Sequence, residues 1–433
     1  MARSNFRLPN IEELSKQQHN ALDLPLEGQH LIVGGPGTGK SVVALLRAGR
    51  LAKAKKNYLF LVYNVLLGKN SYALCGGELK AETWKKWFKD NFQTWFGCSM
   101  PIKKNAKNED NEDWDAILNI KPLEDIDTSM YLVIDEGQDM PPQFYITLIN
   151  IGFENFYVVA DQNQRITDHN SSRRDIEKNL GLNPADTVEL TSNYRNSLPI
   201  ARLAQHFFTN DPASPPVELP KPKGGDRIPR MLRYDGNAEG KLANISAAIL
   251  KAYDRNVDKL ICIITPNEDI RKKFCDSLRN ANVPLDHEMP EIQTYASTER
   301  IVDGSLLGMA AEERCARCGA EMRTKRSSKD GGIFWACTQY FSTGCTHTKN
   351  YVSIDFRNGG IAVINQQSIK GLEFDTVCIA DIDTYWGTRD ELMKKFYVMI
   401  SRARDTVVLL RSGDISQQVE AIIPNDDTIL ARR

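Results

Sequence analysis

This sequence has almost no net charge, few cysteines and no long apolar run. Its 433 residues carry 55 Lys and Arg against 56 Asp and Glu, a formal net charge of −1. That balance excludes a uniformly positive surface, so any contact with nucleic acid must come from local basic strips. The first ten residues lack the apolar core of a signal peptide, and the longest apolar stretch, about residues 58–68, is too short to span a bilayer. We therefore expect a cytoplasmic protein that does not contact a membrane.

Nine cysteines are too few to build a disulfide scaffold in a chain of this length. Apolar residues (41%) and charged residues (26%) occur in globular proportions, which excludes a mostly disordered or fibrous chain. At roughly 150 residues per domain, the length predicts two or three domains.

Apolar, β-rich runs alternate with helix-like stretches in two parts of the chain. HLIVGG, YLFLVY, YLVIDE and FYVVAD mark the first part, and KLICIITP, GIAVINQ, TVCIADI and TVVLLRS mark the second. This rhythm is typical of βαβ units and parallel sheets, so the predicted fold class is α/β. We predict a first domain over residues 1–196 with an exposed insertion at about 98–129, a linker over 197–225, a second domain over 226–433, and a cysteine-bearing insertion over 312–350.

The strongest chemical signal is the segment GGPGTGKS, which follows the apolar run LIV and precedes a helical stretch. Glycines allow backbone N–H groups to close around phosphate oxygens at a helix N-terminus. The lysine of such a loop reaches the β- and γ-phosphates, and the hydroxyl after it can hold Mg²⁺. The predicted ATP-binding residues here are Gly34, Gly35, Pro36, Gly37, Thr38, Gly39, Lys40 and Ser41.

Two carboxylates follow the apolar run YLVI, at the expected C-terminal end of a strand. In an open α/β sheet, that end is where ligands bind. Asp135 is suited to hold Mg²⁺, and Glu136 is suited to orient and deprotonate the attacking water. Without the glycine-rich loop upstream, these two carboxylates would fit a solvated acidic loop equally well.

Further motifs, in their order, resemble those of the UvrD/Rep-like superfamily 1 DNA helicases over nearly all of the chain outside the cysteine insertion. LSKQQHNAL resembles the motif that reads adenine, with Gln18 at the glutamine position. VVADQNQRI resembles motif III, which implies that Gln164 senses the γ-phosphate. LTSNYRN resembles motif IV, where Tyr194 would stack on adenine and Arg195 would reach the γ-phosphate.

Two later motifs complete the resemblance. IKGLEFDTV resembles motif V, with Gly371 and Glu373 at matching nucleotide-site positions, and YVMISRAR resembles motif VI, where Arg402 stands as the arginine finger. The family implies two RecA-like P-loop domains, ATP and Mg²⁺ between them, and single-stranded or partly duplex DNA as partner. The implied activity is ATP-dependent translocation on single-stranded DNA in the 3′ to 5′ direction, with unwinding.

The resemblance also implies DNA contacts in the first domain. LVYNVLLG resembles motif Ia, where Tyr63 would stack on a base and Asn64 would contact the backbone. AETWKKWF resembles motif Ib, with Thr83 and Trp84 placed for phosphate and base contacts. Taken alone, Trp84 fits a core residue at helical spacing equally well.

The sequence departs from the family where accessory domains would normally be inserted, because both insertions are short. This departure favours an alternative function, a DNA-sensing ATPase switch that signals to a partner enzyme, for example in phage defence. An RNA helicase also stays open. Motif III is followed by residues 166–169 (ITDH) instead of the family's DNA-contacting aromatic segment.

The cysteine insertion has the spacing C-x₂-C-x₁₈-C-x₇-C. Four thiolates suit tetrahedral Zn²⁺, and two such knuckles can hold a small ribbon that lacks a core of its own. The segment resembles the C-terminal zinc ribbons of type IA topoisomerases, and its basic and aromatic residues favour contact with nucleic acid, with docking of a partner protein as the alternative. His347 could replace the last cysteine. The predicted zinc ligands are Cys315, Cys318, Cys337 and Cys345.

Overall fold

The computed structural model describes residues 3, 6–103, 111–161, 170–209, 217–234, 239–295, 301–302, 304–315 and 317–432. These residues form two parallel sheets and one small antiparallel sheet. None of the helices among them is long and apolar enough to span a membrane.

The first sheet has six parallel strands. They are β1 (Gln29–Gly34), β2 (Tyr58–Val62), β3 (Ala81–Thr83), β4 (Tyr131–Ile134), β5 (Asn155–Ala160) and β6 (Thr187–Leu190), in the spatial order β3-β2-β4-β5-β1-β6. The accompanying helices are α1 (Lys16–Leu22), α2 (Lys40–Lys53), α3 (Val65–Leu74), α4 (Trp84–Phe96), α5 (Trp114–Leu118), α6 (Pro142–Ile151) and α7 (Arg173–Asn179).

The central strands of this sheet are short apolar runs because both of their faces are covered by helices. In β4 all four side chains are buried, and they alternate between two hydrophobic clusters. Val133 packs in the cluster that contains α2, and Ile134 packs in the cluster that contains α4 and α6. The polar residues that follow β1, β4 and β5 therefore emerge together at one edge of a rigid sheet.

The second sheet has seven parallel strands. They are β7 (Arg230–Arg233), β8 (Leu260–Thr265), β9 (Ile292–Tyr295), β14 (Gly360–Asn365), β15 (Phe374–Ile379), β16 (Ala403–Arg411) and β17 (Ala431–Arg432), in the order β17-β7-β16-β15-β8-β14-β9. Its helices are α8 (Leu198–His206), α9 (Glu239–Asp254), α10 (Glu268–Arg279), α12 (Arg389–Ile400) and α13 (Gln417–Glu420).

The third sheet lies between β9 and β14 in the chain and is antiparallel. Its elements are β10 (Ala310–Arg314), β11 (Glu321–Arg326), β12 (Ile333–Cys337), the short helix α11 (Tyr340–Thr343) and β13 (Thr348–Asn350). We call this unit the ribbon. Two parallel α/β sheets, with a small unit inserted in the second, confirm the predicted fold class.

The domain boundaries differ from the predicted ones at two places. Helix α8 falls in the predicted linker, yet Ile200 and Leu203 pack in the core of the second sheet, so that domain begins near residue 197. At the N-terminus, the Arg3 guanidinium forms a buried ion pair with Asp375 in β15, at 3.1 Å. The start of the chain is therefore attached to the second domain, which neither periodicity nor composition could indicate.

Candidate active site and metal cluster

The predicted phosphate-binding loop connects β1 to α2 in the first domain. Gly39 has φ of 90°, in the left-handed region, and a Cβ there would lie 2.2 Å from the Gln18 amide nitrogen. Only glycine satisfies both conditions. The Lys40 ammonium donates to the Gly35 carbonyl at 2.8 Å and lies 3.6 Å from a carboxylate oxygen of Asp161. The loop thus holds its lysine at the N-terminus of α2, where anions bind.

Asp135 follows β4 directly and faces this loop. The Ser41 hydroxyl donates to its Oδ1 atom at 3.2 Å, which joins two residues 94 positions apart in sequence. Burial, together with the neighbouring Glu136 carboxylate, raises the pKa of Asp135 to about 7. Its Oδ2 atom is buried and has no hydrogen-bond partner among the described residues. A hydroxyl beside a carboxylate with one unpartnered buried oxygen fits the oxygen donors that Mg²⁺ prefers.

Glu136 is also buried, at 4% exposure, and has a left-handed backbone with φ of 54°. Burial alone would raise the pKa of this carboxyl, but the charges of Arg402 and Lys40 outweigh it and hold the pKa below its usual value. The Gln138 amide donates to Glu136 at 2.7 Å and accepts from the Asp161 backbone N–H at 2.9 Å. Glu136 is therefore an ionised carboxylate with a fixed orientation.

Arg195 of the first domain reaches the second domain. Its guanidinium donates to Glu373 at 2.9 Å, and Arg404 donates to the other oxygen of the same carboxylate at 2.9 Å. Burial acts to raise the pKa of Glu373, but the two guanidinium groups lower it. Glu373, predicted at the nucleotide site, thus bridges two arginines across the domain boundary.

Arg402 lies in the short turn between α12 and β16 and is 1% exposed. Burial, with a contribution from the positive charge of Arg195, lowers its pKa to about 10. The guanidinium donates to the Val398 carbonyl at 3.0 Å, and its charge acts on Glu136 of the first domain. The predicted arginine finger and the predicted base are therefore close together.

Gln18 and Tyr194 flank the loop from the first domain. The Gln18 amide donates to the Thr38 carbonyl at 3.0 Å, and its oxygen accepts from the backbone N–H of Ser15, the N-cap residue of α1. The Tyr194 backbone N–H donates to the Gly37 carbonyl at 2.8 Å, while its side chain is 52% exposed. An exposed aromatic ring beside the loop suits stacking on adenine. Gln164 lies outside the described residues, as does the segment 166–169.

The residues around motif V connect the two domains. A Cβ at Gly371, where φ is 75°, would lie 2.6 Å from Leu67 in α3, so glycine permits close contact between the domains here. The neighbouring Lys370 ammonium forms a buried ion pair with Asp139 at 2.6 Å. Burial, opposed by Lys370, raises the pKa of Asp139 to about 6.

Sequence reasoning missed Asp139, Asp161 and Lys370 as site residues. Asp161 directly follows β5, as Asp135 follows β4, so the same end-of-strand signal could have found it. No local pattern pairs Asp139 with Lys370, because the two are 231 positions apart. Trp386, in the loop before α12, is 79% exposed and lines a pocket together with Lys370 and Lys395.

The four predicted DNA contacts divide into accessible and buried residues. The Tyr63 ring is 36% exposed and lies 5.5 Å from the Lys370 ammonium. Asn64 caps α3 by accepting from the Leu67 N–H at 2.8 Å, and Thr83 immediately precedes α4. Trp84 is only 2% exposed and packs edge-on against Phe144 in the core. The prediction of base stacking by Trp84 is wrong for this structure, because the ring is covered by its own domain.

The four predicted zinc ligands converge in the ribbon. Their sulfur atoms all lie within 4.8 Å of one another, with 3.7 Å between Cys315 and Cys345 and 3.4 Å between Cys318 and Cys337. A tetrahedron with Zn–S bonds of about 2.3 Å has S···S distances of about 3.8 Å. The four thiols thus fit one Zn²⁺. His347 is not part of the cluster.

His347 instead connects the ribbon to the first domain. Its Nδ1 atom lies 2.9 Å from a carboxylate oxygen of Glu82 in β3, and both side chains are buried. A second pair, Arg317 with Asp90 in α4, is more exposed, at 2.7 Å. The ribbon therefore belongs to the second domain by sequence and contacts the first domain in space.

Comparison with known proteins gave one family match. Residues 360–410 match the family described as UvrD-like helicase C-terminal domain. No curated protein matches the chain. Similar solved structures include Bacteroides Pif1 bound to ssDNA (14% identity, 95% of this chain and 94% of that chain, TM-score 0.40). They also include Bacteroides Pif1 in complex with ADP-AlF3 and ssDNA (14% identity, 96% of this chain and 95% of that chain, TM-score 0.41).

A third similar structure is the C-terminal domain of a possible DNA helicase from Lactobacillus plantarum WCFS1 (13% identity, 55% of this chain and 97% of that chain, TM-score 0.31). The family match covers β14, β15, α12 and most of β16, which include motifs V and VI. The predicted resemblance is thus confirmed for this segment, which is similar to the C-terminal domain of UvrD-like helicases.

Proposed function

We propose that this protein hydrolyses ATP and uses the energy to move along single-stranded DNA. The observation that carries the proposal is the convergence of one set of charged groups from both domains. Lys40, Asp135 and Glu136 come from the first sheet, and Arg402 comes from the second. Charge of both signs, buried at a domain boundary, is costly unless the site binds a charged ligand or catalyses a reaction.

The phosphate-binding loop would hold the ATP phosphates. Lys40 would exchange its contacts with Gly35 and Asp161 for the β- and γ-phosphates, and Tyr194 would stack on the adenine. Ser41 and Asp135 would hold Mg²⁺, which when bound neutralises charge on the phosphates. Gln18 would act through the loop, since its amide already orients the Thr38 carbonyl.

Hydrolysis needs a base for the water and positive charge for the γ-phosphate. Glu136 is suited to accept the proton because Arg402 and Lys40 keep it ionised. Arg402 and Arg195 would stabilise the negative charge that develops on the phosphate, and Gln164 would sense it. Because Arg402 belongs to the second domain, catalysis depends on how closely the domains approach, which would couple turnover to domain movement.

The strand would cross both domains beside this cleft. Tyr63 and Asn64 lie where Lys370 of the second domain contacts the first, so a strand bound there would respond to domain movement. The direction we propose is 3′ to 5′, from the UvrD/Rep-like motifs. Displacement of streptavidin from either end of a biotinylated oligonucleotide measures that direction.

The test is ATP hydrolysis by the purified full chain, with and without single-stranded DNA. We expect DNA to stimulate the wild-type protein. Lys40→Ala should lose hydrolysis, and Glu136→Gln should keep ATP binding but lose turnover by about 10²- to 10⁴-fold. Equal rates for wild type and Glu136→Gln would refute the assignment of the base. If single-stranded DNA does not change the rate of ATP hydrolysis by the wild-type protein, the proposal that it is a motor is refuted.

The DNA-sensing switch is the second candidate. Among the described residues, the first-domain insertion at 98–129 holds only the short helix α5, which is little material for splitting duplexes. Both candidates predict DNA-stimulated hydrolysis, but only the motor displaces a strand. Partly duplex DNA with either a 3′ or a 5′ tail therefore separates them, and an RNA strand of the same sequence tests the choice of nucleic acid.

A further inference from the structure

A cavity lies away from the proposed ATP site, between the ribbon and the first domain. Its volume is about 660 Å³, within the range of about 300–1,000 Å³ that is usual for ligand sites. Helices α3 and α4 supply one wall, through residues such as Lys69 and Lys86. Strands β11 to β13 of the ribbon supply the other wall, through Trp335 and Lys349. We call this cavity the ribbon cleft.

The charge of the ribbon cleft is positive, although the whole chain has a net charge of −1. Four basic residues line it, Lys69, Lys86, Lys349 and Arg357, against two acidic ones, Glu82 and Asp355. Glu82 is buried, and its Oε1 atom lies 2.9 Å from Nδ1 of His347 at the base of the ribbon. A local excess of basic residues favours an anionic ligand.

One wall combines a cation with aromatic rings. Lys349 in β13 is the register partner of Trp335 in β12, so both side chains point to the same face of the ribbon. Tyr351 follows β13, and its ring centroid lies 5.5 Å from that of Trp335. Sites for single-stranded nucleic acid combine aromatic rings, which stack on the bases, with positively charged groups, which contact the phosphates.

Two exposed basic residues of β11 point the other way. Met322 and Trp335 line the cleft, whereas Arg323 and Lys325 alternate with Met322 along β11 and are exposed on the opposite face. Lys325 lies 5.5 Å from the ring centroid of Phe341 on that outer face. The two faces can therefore be tested separately with the same number of charges removed.

The ribbon cleft also continues into the predicted DNA path. Val62 and Val65 line it, and they flank Tyr63 and Asn64. Thr83, the other accessible residue of the predicted DNA contacts, lines it as well. A strand that passes Tyr63 can therefore enter the cleft without crossing the core of either domain.

We propose that the ribbon cleft binds a segment of single-stranded nucleic acid, with bases against Trp335 and Tyr351 and phosphates near Lys86 and Lys349. The inference rests on the proposed function and extends it. It assigns the inner face of the ribbon, and not its exposed basic face, to the strand. The ribbon then closes over the strand from the second domain while α4 supports it from the first.

The test compares two double variants of the zinc-loaded full chain. Lys86→Gln with Lys349→Gln removes one charge from each wall of the cleft, and Arg323→Gln with Lys325→Gln removes two charges from the outer face. Binding of fluorescein-labelled oligo(dT) is followed by anisotropy at several salt concentrations. We expect the cleft pair to weaken binding on the order of tenfold and to reduce the salt slope by about 1.4. The outer pair should stay within about twofold of wild type.

Cross-linking gives an independent measurement that needs no substitution. An oligonucleotide that carries 5-iododeoxyuridine should attach, on irradiation, to peptides that contain Trp335 or Tyr351. The inference is overturned if the cleft pair binds oligo(dT) with wild-type affinity, or if the outer pair loses as much affinity as the cleft pair. Neither result would contradict DNA-stimulated ATP hydrolysis. A wild-type chain that binds no single-stranded DNA overturns the proposed function and this inference together.

Discussion

The two α/β domains and the ribbon are stabilised in different ways. The second sheet packs large buried side chains such as Phe356, Phe374 and Phe396 in one continuous core. The core cluster of the ribbon consists of Cys315, Met322 and Cys337, two of which are sulfur ligands of the candidate zinc site. Ordering one residue costs about 1–2 kcal/mol of backbone entropy. Burial of three such side chains cannot offset that cost for a whole ribbon, so we predict that a metal ion bound by the four cysteines contributes to its folding.

Because of this difference, substitutions in the α/β domains and in the ribbon should have different effects. Structural zinc contributes about 10–16 kcal/mol in small zinc-dependent modules. The two α/β domains, which carry the proposed ATP site, have large hydrophobic cores of their own. Changes in the nucleotide cleft should therefore reduce turnover and leave the fold intact, whereas loss of the metal should unfold the ribbon and leave basal turnover intact.

The largest expected effect is that of Arg402→Ala on turnover. Arginine fingers contribute about 10³–10⁵ to the rate of phosphoryl transfer. We expect kcat for DNA-stimulated hydrolysis to fall at least about a thousandfold, with most of the DNA affinity retained. Arg202→Ala, on the exposed side of α8, is the matched control and should hydrolyse ATP at the wild-type rate. A fall of less than about tenfold would remove Arg402 from the catalytic site.

The second prediction concerns the metal. Cys315→Ser with Cys318→Ser should abolish zinc binding, measured by elemental analysis of the purified chain. Protease cleavage should then appear within residues 304–350, while both α/β domains resist. Cys75→Ser with Cys98→Ser changes two cysteines outside the cluster and should retain one zinc per chain. Unchanged zinc in the first variant would refute the metal site, and global unfolding would refute the independence of the domains.

The third prediction tests the ion pair between Lys370 and Asp139. Removing one partner leaves the other charge buried, so Lys370→Met should destabilise the contact between the domains more than the double variant with Asp139→Asn does. The coupling energy between the two changes should be about 1–3 kcal/mol, measured by urea unfolding in a double-mutant cycle. Additive effects would show that the pair does not connect the domains energetically.

Local signals predicted much of this molecule. The glycine-rich loop, the carboxylates after β4 and the paired cysteines each combine residue type with short spacing, and the structure places each set together. Trp84 shows where such signals fail. Helical spacing of Trp84, Trp87 and Phe88 fits both a core and an exposed stacking surface, and only packing against α6 decides for the core.

Long-range pairs could not be predicted in the same way. Arg3 with Asp375, Lys370 with Asp139 and His347 with Glu82 each join residues more than 200 positions apart. Charged residues are common in the sequence, so no single pair is distinguished until the fold brings its members together. For the same reason, the sequence predicts the ribbon as an insertion in the second domain but does not indicate that it packs on the first domain.

The smallest expected effect is that of Asp90→Asn at the edge of the ribbon. Asp90 pairs with Arg317 of the ribbon and with Lys86 of its own helix, and its side chain is 30% exposed. Pairs this exposed contribute about 0–1 kcal/mol, and the ribbon also packs on the first domain where His347 lies against Glu82. Hydrogen exchange in β12 and β13 should therefore change little. Because the substitution removes a negative charge beside Lys86, affinity for single-stranded DNA should rise by about two- to threefold at low salt. A fall in affinity would mean that the ion pair with Arg317, and not the charge of the ribbon cleft, controls binding.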